Sequence, residues 1–147
     1  MSRINPLGSE VAAGFACKPE TADPEKPIMF AAAQIFICDG ERCRSCHSDD
    51  LAGKVRALVK AMGCDKGDDR IKVTRCGCNG ACRFRVFACV YQNGNARSYN
   101  RATSFSAWKR VHEWSDGQWM ELIASLREGR PPESLREFRV EDKVYYG

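Results

Sequence analysis

The sequence predicts a small α/β domain in which helices flank a mixed β-sheet. Apolar runs typical of strands alternate with two amphipathic stretches, in the order strand, helix, strand, strand, strand, helix. Of the 147 residues, 44% are hydrophobic and 29% are charged, which is the balance of a globular domain. The chain has no internal repeat and no low-complexity tract, so we expect a single hydrophobic core.

The first half of the domain is predicted as a strand, a helix and a second strand. Residues 31–38, AAAQIFIC, form an apolar run typical of a buried strand. Residues 48–50, Ser-Asp-Asp, supply a helix cap, and apolar residues recur at helical spacing over 51–62 before Gly63 ends the helix. Residues 71–74, IKVT, are the second strand.

The second half begins with a strand over 86–94 that runs into an Asn-Gly turn. Residues 95–106 are polar and aperiodic, and residues 107–113 fit either a strand or a helix. Ser115 caps the last helix, which Gly129 ends. That helix is predicted to place four apolar residues on one face: Trp119, Met120, Ile123 and Leu126.

The domain is expected to have an extension at each end. Residues 1–27 contain four prolines among small and charged residues, which predicts a flexible N-terminal leader. The ordered domain is predicted over 28–134. Residues 135–147 form a C-terminal extension that either adds a strand or docks on a partner.

Composition also limits the classes of function. The first residues lack the pattern of a secretory signal, and no apolar run reaches the roughly 18 residues of a membrane helix. We therefore expect a cytoplasmic protein with no membrane insertion, whose nine cysteines serve as ligands or thiols rather than disulfides. The net charge of +4 is too small to indicate a nucleic-acid partner.

Two short-spaced cysteine pairs are the strongest chemical signal in the chain. Cys38 and Cys43 belong to C-D-G-E-R-C, and Cys78 and Cys82 belong to C-N-G-A-C. Each pair follows a predicted strand, so both pairs are expected at one end of the sheet, where they would form a four-thiolate cage. Such a cage holds an iron–sulfur cluster or a zinc ion, and the spacing alone allows either.

The loop after Cys43 leaves two further hypotheses open. Cys46 lies in the same loop and is an alternative ligand to Cys43, and the C-x-x-C sequence of these two residues also allows a thiol oxidoreductase. Five arginines flank the cysteine pairs and would steer the site toward a partner with an acidic surface: Arg42, Arg44, Arg75, Arg83 and Arg85.

Three segments together resemble the thioredoxin-like [2Fe-2S] ferredoxins, a family related to the cluster-carrying domain of a small complex I subunit. The segments are FIC-DGER-C-RSCHSDDL, VTRCGC-NGA-C and ACVYQNG, and AWKRVHEWSDGQWMELIASLREGRPP is similar to the family's final strand and helix. The resemblance covers about residues 33–134. Cys46 and His47 depart from the family pattern, which has a small residue or glycine there, and 95–106 resemble an insertion.

The resemblance implies a thioredoxin-like fold and a [2Fe-2S] cluster. It assigns Cys38 and Cys43 to one iron and Cys78 and Cys82 to the other. The implied function is that of a one-electron carrier rather than an enzyme, delivering electrons to a larger redox enzyme or metalloenzyme. A homodimer is also expected from the resemblance.

Overall fold

The computed structural model describes residues 1–15, 24–25 and 31–141, which form a mixed α/β structure. A two-stranded sheet near the N-terminus consists of β1 (Arg3–Ile4) and β2 (Glu10–Val11). The main sheet has four strands, namely β3 (Ala33–Cys38), β4 (Ile71–Cys76), β5 (Ala88–Gln92) and β6 (Phe105–Trp108). The α-helices are α1 (Glu41–Arg44), α2 (Leu51–Ala61) and α3 (Asp116–Glu128).

The main sheet has the strand order β4-β3-β5-β6. Strands β3 and β4 are parallel and are connected through α2, whereas β5 is antiparallel to both of its neighbours. The carboxyl ends of β3 and β4 therefore lie side by side, and Cys38 is in register with Cys76. This register brings the loops that follow the two strands to the same edge of the sheet, as the sequence predicted.

Both predicted helix caps are confirmed. The Asp50 side chain accepts a hydrogen bond of 3.1 Å from the Gly53 backbone N–H at the start of α2. Ser115 and Gln118 form a capping box at the start of α3, each side chain bonding the other's backbone N–H. Gly129 ends α3 in the left-handed region, with φ of 71°, where glycine carries no Cβ penalty.

The core lies between one face of the main sheet and the helices. Ile35 and Ile37 on β3 are buried with Val55 of α2 and Trp119 of α3. The tryptophans serve as core packing, and the Trp114 ring centroid lies 5.8 Å from that of Trp108 and 4.8 Å from that of Trp119.

The predicted apolar face of α3 is wrong at one position. Met120 is 42% exposed, while Leu122 is buried in the core with Trp119, Ile123 and Leu126. These buried residues follow the i, i+3, i+4, i+7 spacing of one helix face, and Met120 lies about 100° away from Trp119 around the helix axis.

Residues 95–113 combine turns, a strand and 3₁₀ turns. Residues 95–106 pack against the end of α3, where the Asn100 side-chain amide donates to the Gly129 carbonyl at 2.9 Å. The last two of these residues, Phe105 and Ser106, belong to β6. A 3₁₀ turn over Val111–Glu113 then follows β6, so the ambiguous segment contains both extended and helical backbone.

The predicted end segments are described only in part. Residues 3–11 form a short hairpin that the leader's composition did not predict, and Asn5 Oδ1 stabilises it by accepting from the Leu7 and Ser9 N–H groups. Cys17, the predicted domain start at 28 and residues 142–147 lie outside the described residues. A 3₁₀ helix, Glu133–Phe138, spans the predicted boundary between the domain and the extension. After this helix, the Val140 N–H donates to the Ala107 carbonyl of β6 at 2.8 Å.

Across the part of the chain that the structure describes, no helix is both long enough and apolar enough to cross a membrane.

Candidate metal centre

The structure brings both predicted cysteine pairs to one cleft at the carboxyl ends of β3 and β4. The cleft has a volume of about 180 Å³. Its lining consists of all four predicted ligands and three residues of the first loop: Cys38, Cys43, Cys78, Cys82, Gly40, Glu41 and Arg42. Residues from opposite halves of the sequence thus form a single site.

A glycine allows the two cysteine loops to approach each other. Cys38 is the last residue of β3, Gly40 follows in extended conformation, and Cys43 lies in the single turn of α1. A Cβ atom on Gly40 would lie 3.3 Å from both Cα and Cβ of Cys78, which is tighter than ordinary van der Waals contact. The absence of a side chain at Gly40 therefore allows the loop that contains Cys78 to pack closely against the loop between Cys38 and Cys43.

The first cysteine pair is buried, and both of its members contact the backbone of Phe87. Cys38 and Cys43 are 3% and 2% exposed. The Phe87 carbonyl accepts from the Cys38 N–H at 2.9 Å, and the Phe87 N–H donates to the Cys43 sulfur. The pKa of Cys43 is raised to about 12, mainly by burial; the Phe87 N–H opposes this rise and the neighbouring Cys38 thiol contributes to it. Without a metal, Cys43 is therefore a neutral thiol at pH 7.

The second cysteine pair lies on the solvent side of the cleft. The Cys78 and Cys82 sulfurs are 3.5 Å apart, and the Gly80 N–H donates to the Cys78 sulfur at 3.3 Å. This N–H lowers the pKa of Cys78, with further contributions from the Cys82 thiol and the Arg42 charge. The contact of the Gly80 N–H with the Cys78 sulfur therefore favours negative charge on the exposed pair.

The cleft offers four thiols, which is the number that both kinds of metal site use. A single tetrahedral zinc ion needs four sulfurs that are roughly 3.8 Å from one another, given Zn–S bonds of about 2.3 Å. Each iron of a [2Fe-2S] cluster takes two thiolates. Among the described residues, no group of three or more His, Cys, Asp and Glu side chains is arranged to hold a metal ion. The four thiols form two pairs, Cys38 with Cys43 and Cys78 with Cys82.

The other cysteines near the cleft do not line it. Cys46 is exposed, and its sulfur lies 3.7 Å from the Arg42 carbonyl oxygen. Cys76 accepts a hydrogen bond of 3.3 Å from the Asn79 amide, and burial raises its pKa. Burial likewise raises the pKa of Cys89 to about 11. Cys43 is thus buried in the cleft, whereas Cys46 is exposed outside it.

His47, next to the predicted ligand loop, forms no hydrogen bond to a cysteine sulfur of the described residues. Its Nδ1 atom lies 2.9 Å from the Asp49 carbonyl oxygen, and its buried Nε2 atom has no hydrogen-bond partner. The ring centroid is 6.4 Å from that of His112. His112 in turn accepts from the Val86 N–H at 3.4 Å, so it contacts the backbone just before Phe87.

Two structural contributors to the site had no signal in the sequence. Phe87 acts through its backbone, and any residue other than proline supplies the same N–H and C=O groups. Gly40 was visible as part of C-D-G-E-R-C, but its contact with Cys78 depends on the approach of a segment nearly forty residues away.

No protein-family model matches this chain, and no curated protein is similar enough to be matched. Its function is therefore inferred from the residues of the cleft themselves.

Proposed function

We propose that this protein is a [2Fe-2S] ferredoxin of thioredoxin-like fold that carries single electrons to a larger redox enzyme or metalloenzyme. One observation carries the proposal. A single cleft is lined by Cys38, Cys43, Cys78 and Cys82, arranged as two pairs of contacting thiols. A strand, helix and strand followed by two strands and a helix are also the element order expected of the thioredoxin-like ferredoxins.

The residues around the cleft suit an anionic cluster. A [2Fe-2S] cluster bound by these thiolates would supply reversible one-electron chemistry without a proton donor or nucleophile from the chain. The Phe87 N–H at Cys43 and the Gly80 N–H at Cys78 place partial positive charge next to a sulfur of each pair. The Arg42 guanidinium adds a full positive charge on the same rim. These groups favour the more negative, reduced state.

The two cysteine pairs have different roles in the proposal. Burial of Cys38 and Cys43 excludes water from one side of the site. Exposure of Cys78 leaves the other side open to a docked partner. Electrons would therefore enter and leave through the Cys78 and Cys82 side of the cleft.

Metal analysis of anaerobically purified protein tests the proposal. We expect brown protein with visible charge-transfer bands, about two irons and about two acid-labile sulfides per chain. A colourless protein with about one zinc per chain would refute the ferredoxin and establish the zinc-binding structural module. As a matched control, a Cys64→Ala variant removes a buried thiol outside the cleft and should keep the metal content of the parent chain.

A further inference from the structure

A second cleft lies at the edge of the main sheet, between the amino-terminal half of β4 and the carboxyl-terminal half of α2. It has a volume of about 340 Å³. Three buried apolar residues and three exposed cations contribute to its lining: Val59, Ile71 and Val73, and Arg56, Lys60 and Lys72. We refer to it as the basic cleft. Of the described residues, none lines both this cleft and the one that holds the cysteine pairs.

The backbone of β4 fixes the orientation of the Arg56 guanidinium. Arg56 Nε donates to the Val73 carbonyl oxygen at 3.2 Å. The two terminal nitrogens, Nη1 and Nη2, have no hydrogen-bond partner in the part of the chain that the structure describes. These terminal N–H groups form a fork that matches the two oxygens of a carboxylate. Because the guanidinium is already positioned, binding costs less side-chain freedom than it would for a mobile arginine.

Positive charge predominates in the basic cleft. Lys60 and Lys72 are exposed, and neither forms an ion pair within the described ranges of the chain. Asp65 supplies one negative charge to the lining. Arg70 also lines the cleft, but it is buried and engaged within the chain, so we do not count it as a binding group. Three cations are therefore available to a ligand against one carboxylate.

We propose that the basic cleft binds an acidic segment of a partner protein. The Arg56 fork holds one carboxylate of that segment, and Lys60 and Lys72 pair with neighbouring carboxylates. The cleft lies toward the amino end of β4, whereas the cysteine pairs follow the carboxyl ends of β3 and β4. The partner thus docks at a different end of the sheet from the candidate metal centre.

Charge and size favour an acidic protein over a nucleic acid. The basic cleft has an acid, Asp65, among its cations, and the whole chain carries a net charge of only +4. A phosphate backbone is bound by a row of many cations, and Asp65 would repel it. A short acidic segment needs only a few cations, which steer the encounter and fix its register.

Fluorescence anisotropy of the full chain with a dye-labelled peptide of alternating Glu and Ser, at low ionic strength, tests the proposal. A peptide of alternating Gln and Ser, with the same length and dye, measures binding that does not depend on carboxylates. We expect the parent chain to bind the Glu peptide at least about tenfold more tightly than the Gln peptide, because the cations of the cleft attract only the charged one.

Two double variants locate the binding. The test variant is Lys60→Gln/Lys72→Gln. The matched control is Arg97→Gln/Arg101→Gln, which removes the same charge at exposed positions between β5 and β6 that do not line the cleft. We expect the test variant to weaken binding of the Glu peptide at least about tenfold and the control to weaken it less than about threefold, because nearby charges dominate the attraction.

A third variant, Arg56→Lys, tests the guanidinium fork. It keeps the positive charge but loses both the planar fork and the Nε–H donor that bonds to Val73. We expect it to weaken binding of the Glu peptide at least about threefold, a loss that charge alone would not cause.

Four results would overturn the docking proposal. These are no preference of the parent chain for the Glu peptide, an equal loss in the two double variants, unchanged binding by Arg56→Lys, or tighter binding of a labelled oligothymidylate than of the Glu peptide. The first and last need no variant. Circular dichroism of each variant, with the parent chain as reference, excludes unfolding as the cause of a loss.

The outcome is separate from that of the proposed function, because anisotropy reports peptide binding whatever the bound metal. Protein that contains zinc but binds the Glu peptide through Arg56, Lys60 and Lys72 would refute the ferredoxin and retain the acidic docking site. Protein that contains two irons and two sulfides but does not prefer the Glu peptide would do the reverse.

Discussion

Replacing Gly40 by alanine is expected to loosen the contact between the two cysteine loops. The added Cβ atom would lie 3.3 Å from three atoms of Cys78, so the Cys78 loop must shift by a few tenths of an ångström. Over-packing of this kind costs about 1–3 kcal/mol. Gly40 has φ of −66° and ψ of 162°, which alanine adopts without strain. The substitution therefore also recovers about 0.4–1 kcal/mol by restricting the unfolded chain.

Gly77 provides a matched control in the second loop. A Cβ atom on Gly77 would have no neighbouring atom within 4 Å, and its φ lies outside the left-handed region. Only the unfolded-state effect then remains, so Gly77→Ala is expected to raise the free energy of unfolding by about 0.5 kcal/mol. The two variants should thus differ by about 1–3 kcal/mol, with Gly40→Ala the less stable.

Thermal unfolding followed by circular dichroism measures this difference. For a chain of this size, 1 kcal/mol corresponds to a shift in Tm of roughly 3 °C. We also expect Gly40→Ala to lose its metal to a chelator faster than Gly77→Ala, because Cys78 is the residue displaced. Equal Tm values together with equal rates of metal loss would show that the loops are not in close contact at Gly40.

Three further predictions address the ligand loop, a helix cap and the core. Cys43→Ser should lose or alter the visible spectrum while Cys46→Ser keeps it, since only Cys43 lines the cleft; a normal spectrum in Cys43→Ser would refute the assignment. The Arg75 guanidinium and the Gly53 N–H hold the pKa of Asp50 below its usual value. The ionised Asp50 side chain therefore stabilises the fold fully above its unfolded-state pKa, and this stabilisation is lost as the pH falls through the lower folded-state pKa. Asp50→Ala should flatten the dependence of Tm on pH in that acidic window, and an unchanged profile would contradict this. Leu122→Ala should lower the free energy of unfolding by about 2–5 kcal/mol and Met120→Ala by less than about 0.5 kcal/mol, measured by urea denaturation; similar losses would place Met120 in the core.

Local signals predicted the ends of the helices. Asp50, Ser115 and Gly129 act within one helical turn of their own positions, so the chemistry of the cap is visible in a few adjacent residues. The apolar face of α3 was harder to predict than the helix ends, because one misplaced residue changes the helical spacing of the apolar residues very little. Met120 is adjacent to buried Trp119 in sequence but lies on a different side of the helix.

The candidate centre was predictable only where topology decides the outcome. Because the cysteine pairs follow two parallel neighbouring strands, their convergence was expected from the order of elements. Other features depend on contacts between distant segments. The Phe87 backbone contacts Cys43, and Gly40 lies against Cys78. Neither contact could be predicted from the pattern of side chains along the sequence.

The register between β3 and β4 links the fold to the proposed function. Cys38 lies opposite Cys76, so the chain reaches Cys78 two residues beyond the end of the paired strands. A slip of one residue would turn the alternating side chains of β4 to the opposite face of the sheet and move Cys78 relative to Cys38. Buried Ile71 and Val73 oppose such a slip, because it would expose them to solvent. The same apolar residues that stabilise the sheet therefore hold the two cysteine pairs together at one edge of the sheet.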